Sequence, residues 1–266
     1  YSADNQLGDE AEARKGESRL WKYYEGIRKA STFIVNVDRC PELTMDEIAD
    51  MKGQARFLRA YCYWALIRVY GPVPLIPLEG LDVNLSYEEL SLPREHFDNL
   101  VDFIDQELAE SARSLPTKRT VNNLGRPTRG AALGLRSRVL LYAASPLFNG
   151  STDFFNVKDG YGNQLVSQTY DETKWAKAAA AAKDVIELAK ASGLYELYVV
   201  APKATVLPSQ RPPHNALYSD KNYPEGWADV DPLLSYKSNF DGTILGSKNP
   251  ELIFTRTRIG TGHIND

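Results

Sequence analysis

Residues 54–77 read QARFLRAYCYWALIRVYGPVPLIP. From residue 55 to 70 the run is apolar and aromatic apart from its arginines, and three prolines then fall within six residues. A helix at the surface of a globular protein normally keeps a polar face, whereas one that is apolar nearly all round belongs at the centre with neighbours on several sides. Leu58, Tyr61, Ala65 and Val69 form one expected apolar stripe, widened by Phe57 and Trp64. Lys52, Arg56, Arg59 and Tyr63 form a second, narrow stripe. Its charges can run to solvent or to acids on adjacent helices while the stems pack. The prolines lack N–H donors and favour extended backbone. They predict a stiff path that carries the chain away from the helix without joining a sheet.

The flanking sequence supplies the other helices. Thr44-Met-Asp-Glu47 is a capping box. It opens the central helix at about residue 45, and Gly71 with Pro72 closes it after residue 70. Before it, Leu20, Tyr24, Ile27, Ser31 and Ile34 recur at helical spacing within residues 17–39. A third helix is predicted over 93–114, with Pro93 just inside its start. Phe97, Val101, Ile104 and Leu108 form its inner stripe, and Glu95, Asp98, Asp102 and Asp105 an acidic outer face. Thr128 can cap a fourth helix reaching Ala144, lined by Ala132, Leu135, Val139 and Tyr142. Thr173 is expected to cap a fifth, with Trp175, Ala179, Ala182, Ile186 and Ala189 as its core stripe and Gly193 at its end. The fold class is predominantly all-α: helical hairpins packed as a solenoid or bundle, with long loops and little strand. No strict repeat of about 34 residues is visible. A β-prone segment, Glu251-Leu-Ile-Phe-Thr-Arg-Thr-Arg258, stands without an evident partner.

Composition narrows the function classes. The 266 residues carry a net charge of −4, which argues against nucleic acid as a partner. It leaves neutral ligands such as sugars open. Cys40 and Cys62 are too few for a disulfide framework. His96, His214 and His263 lack metal-ligand spacing. Asp229, Asp231, Asp153 and Asp159 follow no EF-hand pattern, so neither metal nor cofactor is expected. Lys118, Arg119, Arg126, Arg129, Arg136 and Arg138 are expected to pair with the acidic third helix. Residues 1–16 contain no apolar signal segment. The chain opens on Tyr1, and its last, β-prone segment lacks a partner and reads as cut inside a fold, so sequence is expected on both sides.

Fifteen tyrosines and four tryptophans point the same way as the charge. Tyr and Trp combine a flat apolar face with a polar handle, which suits stacking on sugar rings as well as packing. Two long loops hold several of them, and long ordered loops in compact domains often carry function. Residues 199–234 contain Tyr218, Tyr223 and Trp227. Residues 146–172 contain Phe154, Phe155 and Tyr161. The candidate ligand-binding residues are therefore Trp227, Tyr223, Tyr218, Tyr161 and Phe154, with Trp21 at the start of the first helix. For every one of them, pinning a loop or packing a helix is the competing role.

Six stretches, in order, carry a resemblance: Trp21-Lys-Tyr-Tyr-Glu-Gly-Ile-Arg, RFLRAYCYWALIRVYGPVPLI, Leu115-Pro116 with Gly125-Arg-Pro-Thr-Arg-Gly-Ala-Ala, Ser145-Pro-Leu-Phe-Asn-Gly150, Trp175 with its alanine run and Tyr195-Glu-Leu, and Asn239-Phe-Asp-Gly242 with Asn249-Pro-Glu-Leu-Ile-Phe254. Together they resemble the SusD/RagB family of Bacteroidetes outer-membrane nutrient-binding lipoproteins. Two departures stand out. The pair Ala30-Ser31 replaces a common small residue followed by Asn, and residues 199–234 exceed the usual connection.

The resemblance implies degenerate tetratricopeptide-like hairpins in a single, incomplete domain over 1–266. The repeat part would be 17–195, the long loop insertion 199–234, and the start of the second half 235–266. It further implies a surface-exposed protein of the cell outer membrane, held by a lipid anchor that lies outside this chain. Such a protein would bind an oligosaccharide or other nutrient without catalysis and deliver it to a SusC-type TonB-dependent transporter. Two alternatives stay open: a helical-repeat scaffold for protein partners, and an all-α glycan-cleaving enzyme using two carboxylates.

Overall fold

The computed structural model describes residues 19–82, 84–202, 213–245 and 248–254. They fall into two compact units, residues 19–186 and residues 187–254. Among the described residues the regular elements are helical, and the sole β feature is an isolated bridge between Lys158 and Gln164.

In the first unit, α1 (Arg19–Asn36) packs on α2 (Met45–Tyr70), α2 on α4 (Phe97–Ser114), and α4 on α5 (Arg129–Ala144). A one-turn helix, α3 (Tyr87–Leu90), lies between α2 and α4 in the chain. The long helices α1, α2, α4 and α5 therefore pack each on the next in chain order, as in a helical solenoid. The long α6 (Thr173–Ser192) follows.

Local signals are obeyed closely. The Thr44 side chain accepts the N–H of Glu47, and Glu47 returns a bond to the Thr44 backbone at 2.9 Å. Gly71 closes α2 at φ +69°, a left-handed value that favours glycine. α4 starts later than predicted, at Phe97 with His96 as its cap. Residues 94–97 are used elsewhere: Glu95 N–H donates to Val73 O at 3.0 Å and Phe97 N–H to Leu165 O at 2.9 Å. At α6 the cap is not Thr173 but Asp171, whose Oδ1 accepts the Thr173 N–H at 2.9 Å.

α2 is the central helix, but its buried face differs from the expected one. Leu58 and Tyr61 are exposed, while Arg59 and Tyr63 are buried. The reason lies on α4. Glu107 Oε1 accepts from Arg56 Nη1 at 2.5 Å, and its Oε2 lies 3.6 Å from Arg59 Nη1. The Arg59 guanidinium also sits 4.8 Å from the Phe103 ring centroid. The proline segment does not leave the helix. It folds back as a strap, with Tyr63 Oη accepting the Ile76 N–H and Arg59 Nη2 donating to Ile76 O, both at 2.9 Å.

α6 is rotated relative to the expected stripe. Ala178 and Ala181 are buried, whereas Trp175 and Ile186 are exposed. Lys174 pairs with Asp98 at 2.6 Å and Lys177 with Asp102 at 3.1 Å. These positions share one helical face with the two alanines, so the ion pairs and short side chains set the orientation. The acidic outer face of α4 is thereby matched by lysines of α6 and by Arg136, 2.5 Å from Asp105. Arg119 instead makes a bidentate pair with Asp50 of α2 at 2.6 and 2.7 Å.

The second unit is built around α7 (Pro232–Lys237), capped by Asp231. Asp231 N–H donates to Val200 O at 2.7 Å, and Ser235 Oγ accepts the Val200 N–H at 3.0 Å. Glu251 does not start a strand. Its side chain accepts the Tyr198 N–H at 2.8 Å and its own N–H goes to Asn249 Oδ1, so side chains tie down a segment without a ladder partner. The rest of the expected strand, residues 255–258, lies outside the described residues, as do residues 203–212 of the long loop and His263.

Candidate functional site

The long loop forms a compact turn over residues 213–231. Tyr218 N–H donates to Asn215 O at 3.0 Å, and Trp227 N–H donates back to Tyr218 O at 3.1 Å. Gly226 is required between them: a Cβ there would stand 2.0 Å from Tyr218 O and 2.5 Å from Lys221 O. Asp229 Oδ1 accepts the Tyr223 N–H at 2.8 Å, so this acid is spent on the backbone. His214 and Asp220 pair across the same turn at 3.2 Å.

This folding brings two candidate rings together. Tyr218 and Trp227 have centroids 5.7 Å apart and planes 30° apart. Tyr218 and Tyr223 are exposed, and Trp227 is partly so. A partly exposed pair of rings on a braced turn can take the apolar face of a sugar by stacking, with hydroxyls left for polar contacts.

The first unit separates the remaining candidates. Tyr161 is 82% exposed at the tip of a turn. Asp159 builds that turn: its Oδ1 accepts the N–H groups of Tyr161 and Asn163, at 2.9 and 2.8 Å. These bonds hold the Asp159 carboxyl below the ordinary value, the Asn163 side chain contributing most. Phe154 makes the packing contact weighed as its competing role. Its ring stacks on buried Phe148 with centroids 5.5 Å apart, and its carbonyl accepts from Gln164 at 2.8 Å. It anchors the loop, while neighbouring Phe155 is exposed. Trp21 is 70% exposed on the first turns of α1.

One aromatic pair escaped the sequence reading. Tyr236 and Phe240, at the end of α7 and just beyond, have centroids 5.0 Å apart and are both exposed. Their four-residue spacing within PLLSYKSNF was the available signal. Among the described residues no cluster of His, Cys, Asp or Glu could hold a metal ion. No helix among them is long and apolar enough to cross a membrane.

Comparisons with known proteins agree with the fold. A SusD-like family model described as "Starch-binding associating with outer membrane" matches residues 3–141. A SusD-like protein of Formosa agariphila is 23% identical over 185 residues, 62% of this chain and 34% of that protein. The solved structure of BT4246 is 36% identical with a TM-score of 0.61, over 68% of this chain and 31% of that one. The chain thus spans about a third of the length of these relatives. With a family match over more than half of its residues and the same helical fold, the chain belongs to the SusD-like family.

Proposed function

We propose that this chain is part of a cell-surface protein that binds glycans without cleaving them and passes them to a SusC-type outer-membrane transporter. The observation that carries the reading is the Tyr218–Trp227 pair, partly exposed on a turn braced by Gly226 and Asp229. A family described by starch binding and association with the outer membrane supports the ligand class and the location. Tyr223 is a further exposed ring on the same turn, and Tyr161 and Trp21 are exposed rings of the first unit that a glycan could meet separately. A lipid anchor supplied by the full-length protein would hold it to the membrane.

The test is a glycan array, including soluble starch, probed with the whole chain, followed by analysis of incubated glycans for new reducing ends. Saturable binding with no new ends supports the reading. Binding to no glycan, or steady turnover, overturns it. Capture of a TonB-dependent transporter from outer membranes tests the delivery step.

A further inference from the structure

Hydrogen bonds joined through two short backbone segments, 73–76 and 94–97, lead from the interior of α2 to both arms of the turn that carries Tyr161. Ile76 is held at both backbone groups, its N–H by Tyr63 and its carbonyl by Arg59. The Tyr24 hydroxyl donates to Pro74 O at 2.8 Å. One residue earlier, Val73 O accepts the Glu95 N–H at 3.0 Å. Residues 94–97 then grip both arms of the Tyr161 turn: Arg94 Nη2 donates to Lys158 O at 2.5 Å and Phe97 N–H to Leu165 O at 2.9 Å. The Phe97 ring stacks on Phe148 at 4.4 Å, and Phe148 on Phe154 at the base of the same loop.

We propose that Arg59 and Tyr63 are positioning residues: acting through residues 71–77 and 94–97, they fix where the 157–165 turn presents Tyr161. The prolines make this possible. Pro72, Pro74 and Pro77 have no N–H to offer a ladder. Without a ladder, Ile76 is seated by side chains, and both residues that hold it are buried. A buried donor left unmade is costly, and a charged donor makes a strong bond. Arg59 cannot swing aside, because Glu107 and the Phe103 ring enclose its guanidinium. The strap therefore has one seat, and the segments bonded to it inherit that seat. The significance for the ligand rests on the reading that Tyr161 touches glycan.

Native-state hydrogen exchange on the whole chain tests the positioning directly. Tyr63→Phe keeps the ring in the core and removes only the acceptor of the Ile76 N–H. Amides of Ile76, Glu95, Phe97 and Leu165 are expected to exchange about tenfold faster in this variant, with α5 amides unchanged. Arg59→Met should accelerate the same set; if it does not fold, Tyr63→Phe decides alone. Acceleration at Ile76 only, or equally throughout the chain, overturns the proposal. Because exchange is read without ligand, coupled amides in a chain that binds no glycan would defeat the functional reading and leave the positioning intact.

Discussion

Arg59 on α2 and Glu107 on α4 face each other at 3.6 Å with only 4% and 9% of their side chains exposed. Among the described residues, Arg59 Nε and Glu107 Oε2 have no hydrogen-bond partner, so the pair depends on mutual charge and on Arg56. Removing one member of a buried pair leaves an uncompensated charge, which costs about 3–5 kcal/mol. Glu107→Ala should lower stability by that order in urea unfolding, and Arg59→Met combined with Glu107→Leu by much less. A Glu107→Ala protein as stable as the parent would show that the guanidinium reaches water.

Asp50 gives the fold an acid limit. Burial alone would raise its carboxyl, but the bidentate Arg119 pair outweighs this and holds it below the ordinary 3.8. A carboxylate depressed in the folded state contributes stability above its unfolded value and loses it as pH falls through the folded one. The chain should therefore lose stability as pH drops below about 4. Asp50→Asn should be weaker at neutral pH and show a shallower acid decline in thermal unfolding. An identical pH profile in the variant would exclude this pair as the source.

Trp227→Ala should weaken glycan binding by about 1 kcal/mol, roughly fivefold, judged from aromatic contacts. Gly226→Ala removes no ring, yet its Cβ would overlap Tyr218 O. It should reduce binding through loss of the turn, while helical circular dichroism stays unchanged. Titration calorimetry of both variants separates ring from turn: full affinity in Gly226→Ala would show that the turn does not present the site.

The orientation of α6 can be read by packing mutants. Ala181 is buried against the core cluster and Trp175 faces outward. Overpacking a filled site costs about 1–3 kcal/mol, so Ala181→Leu should destabilise more than Trp175→Ala. The reverse order in denaturant unfolding would restore the stripe expected from the hydrophobic pattern.

Much of the helical framework was legible because its signals are local. Thr44 and Glu47 are three residues apart, and Gly71 with Pro72 closes α2 without reference to any other element. The inner stripe of α4, Phe97, Val101, Ile104 and Leu108, was equally plain and is buried throughout. Its start was misplaced, since Glu95 and Phe97 donate to Val73 and Leu165, contacts that spacing within 93–114 cannot reveal. The ordered aromatic turn at 213–231 was foreshadowed by composition, but the meeting of Tyr218 with Trp227 depends on the turn that Gly226 permits.

By itself the sequence determined the five long helices, the caps at Thr44, Gly71 and Thr128, and that α2 must be central, because these follow from bonds and patterns within a few residues. The tertiary structure decided which face each helix turns inward. A nearly uniform apolar surface on α2 leaves its rotation open until Glu107, 48 positions beyond Arg59, supplies the charge that draws a guanidinium inside. It likewise decided that Phe154 anchors its loop on Phe148 while Tyr161, seven residues on, stands in water. Both rings are aromatic in the same loop, and only the packing around them, where Phe97 of α4 stacks on Phe148 beneath Phe154, tells a packing residue from one free to meet a ligand.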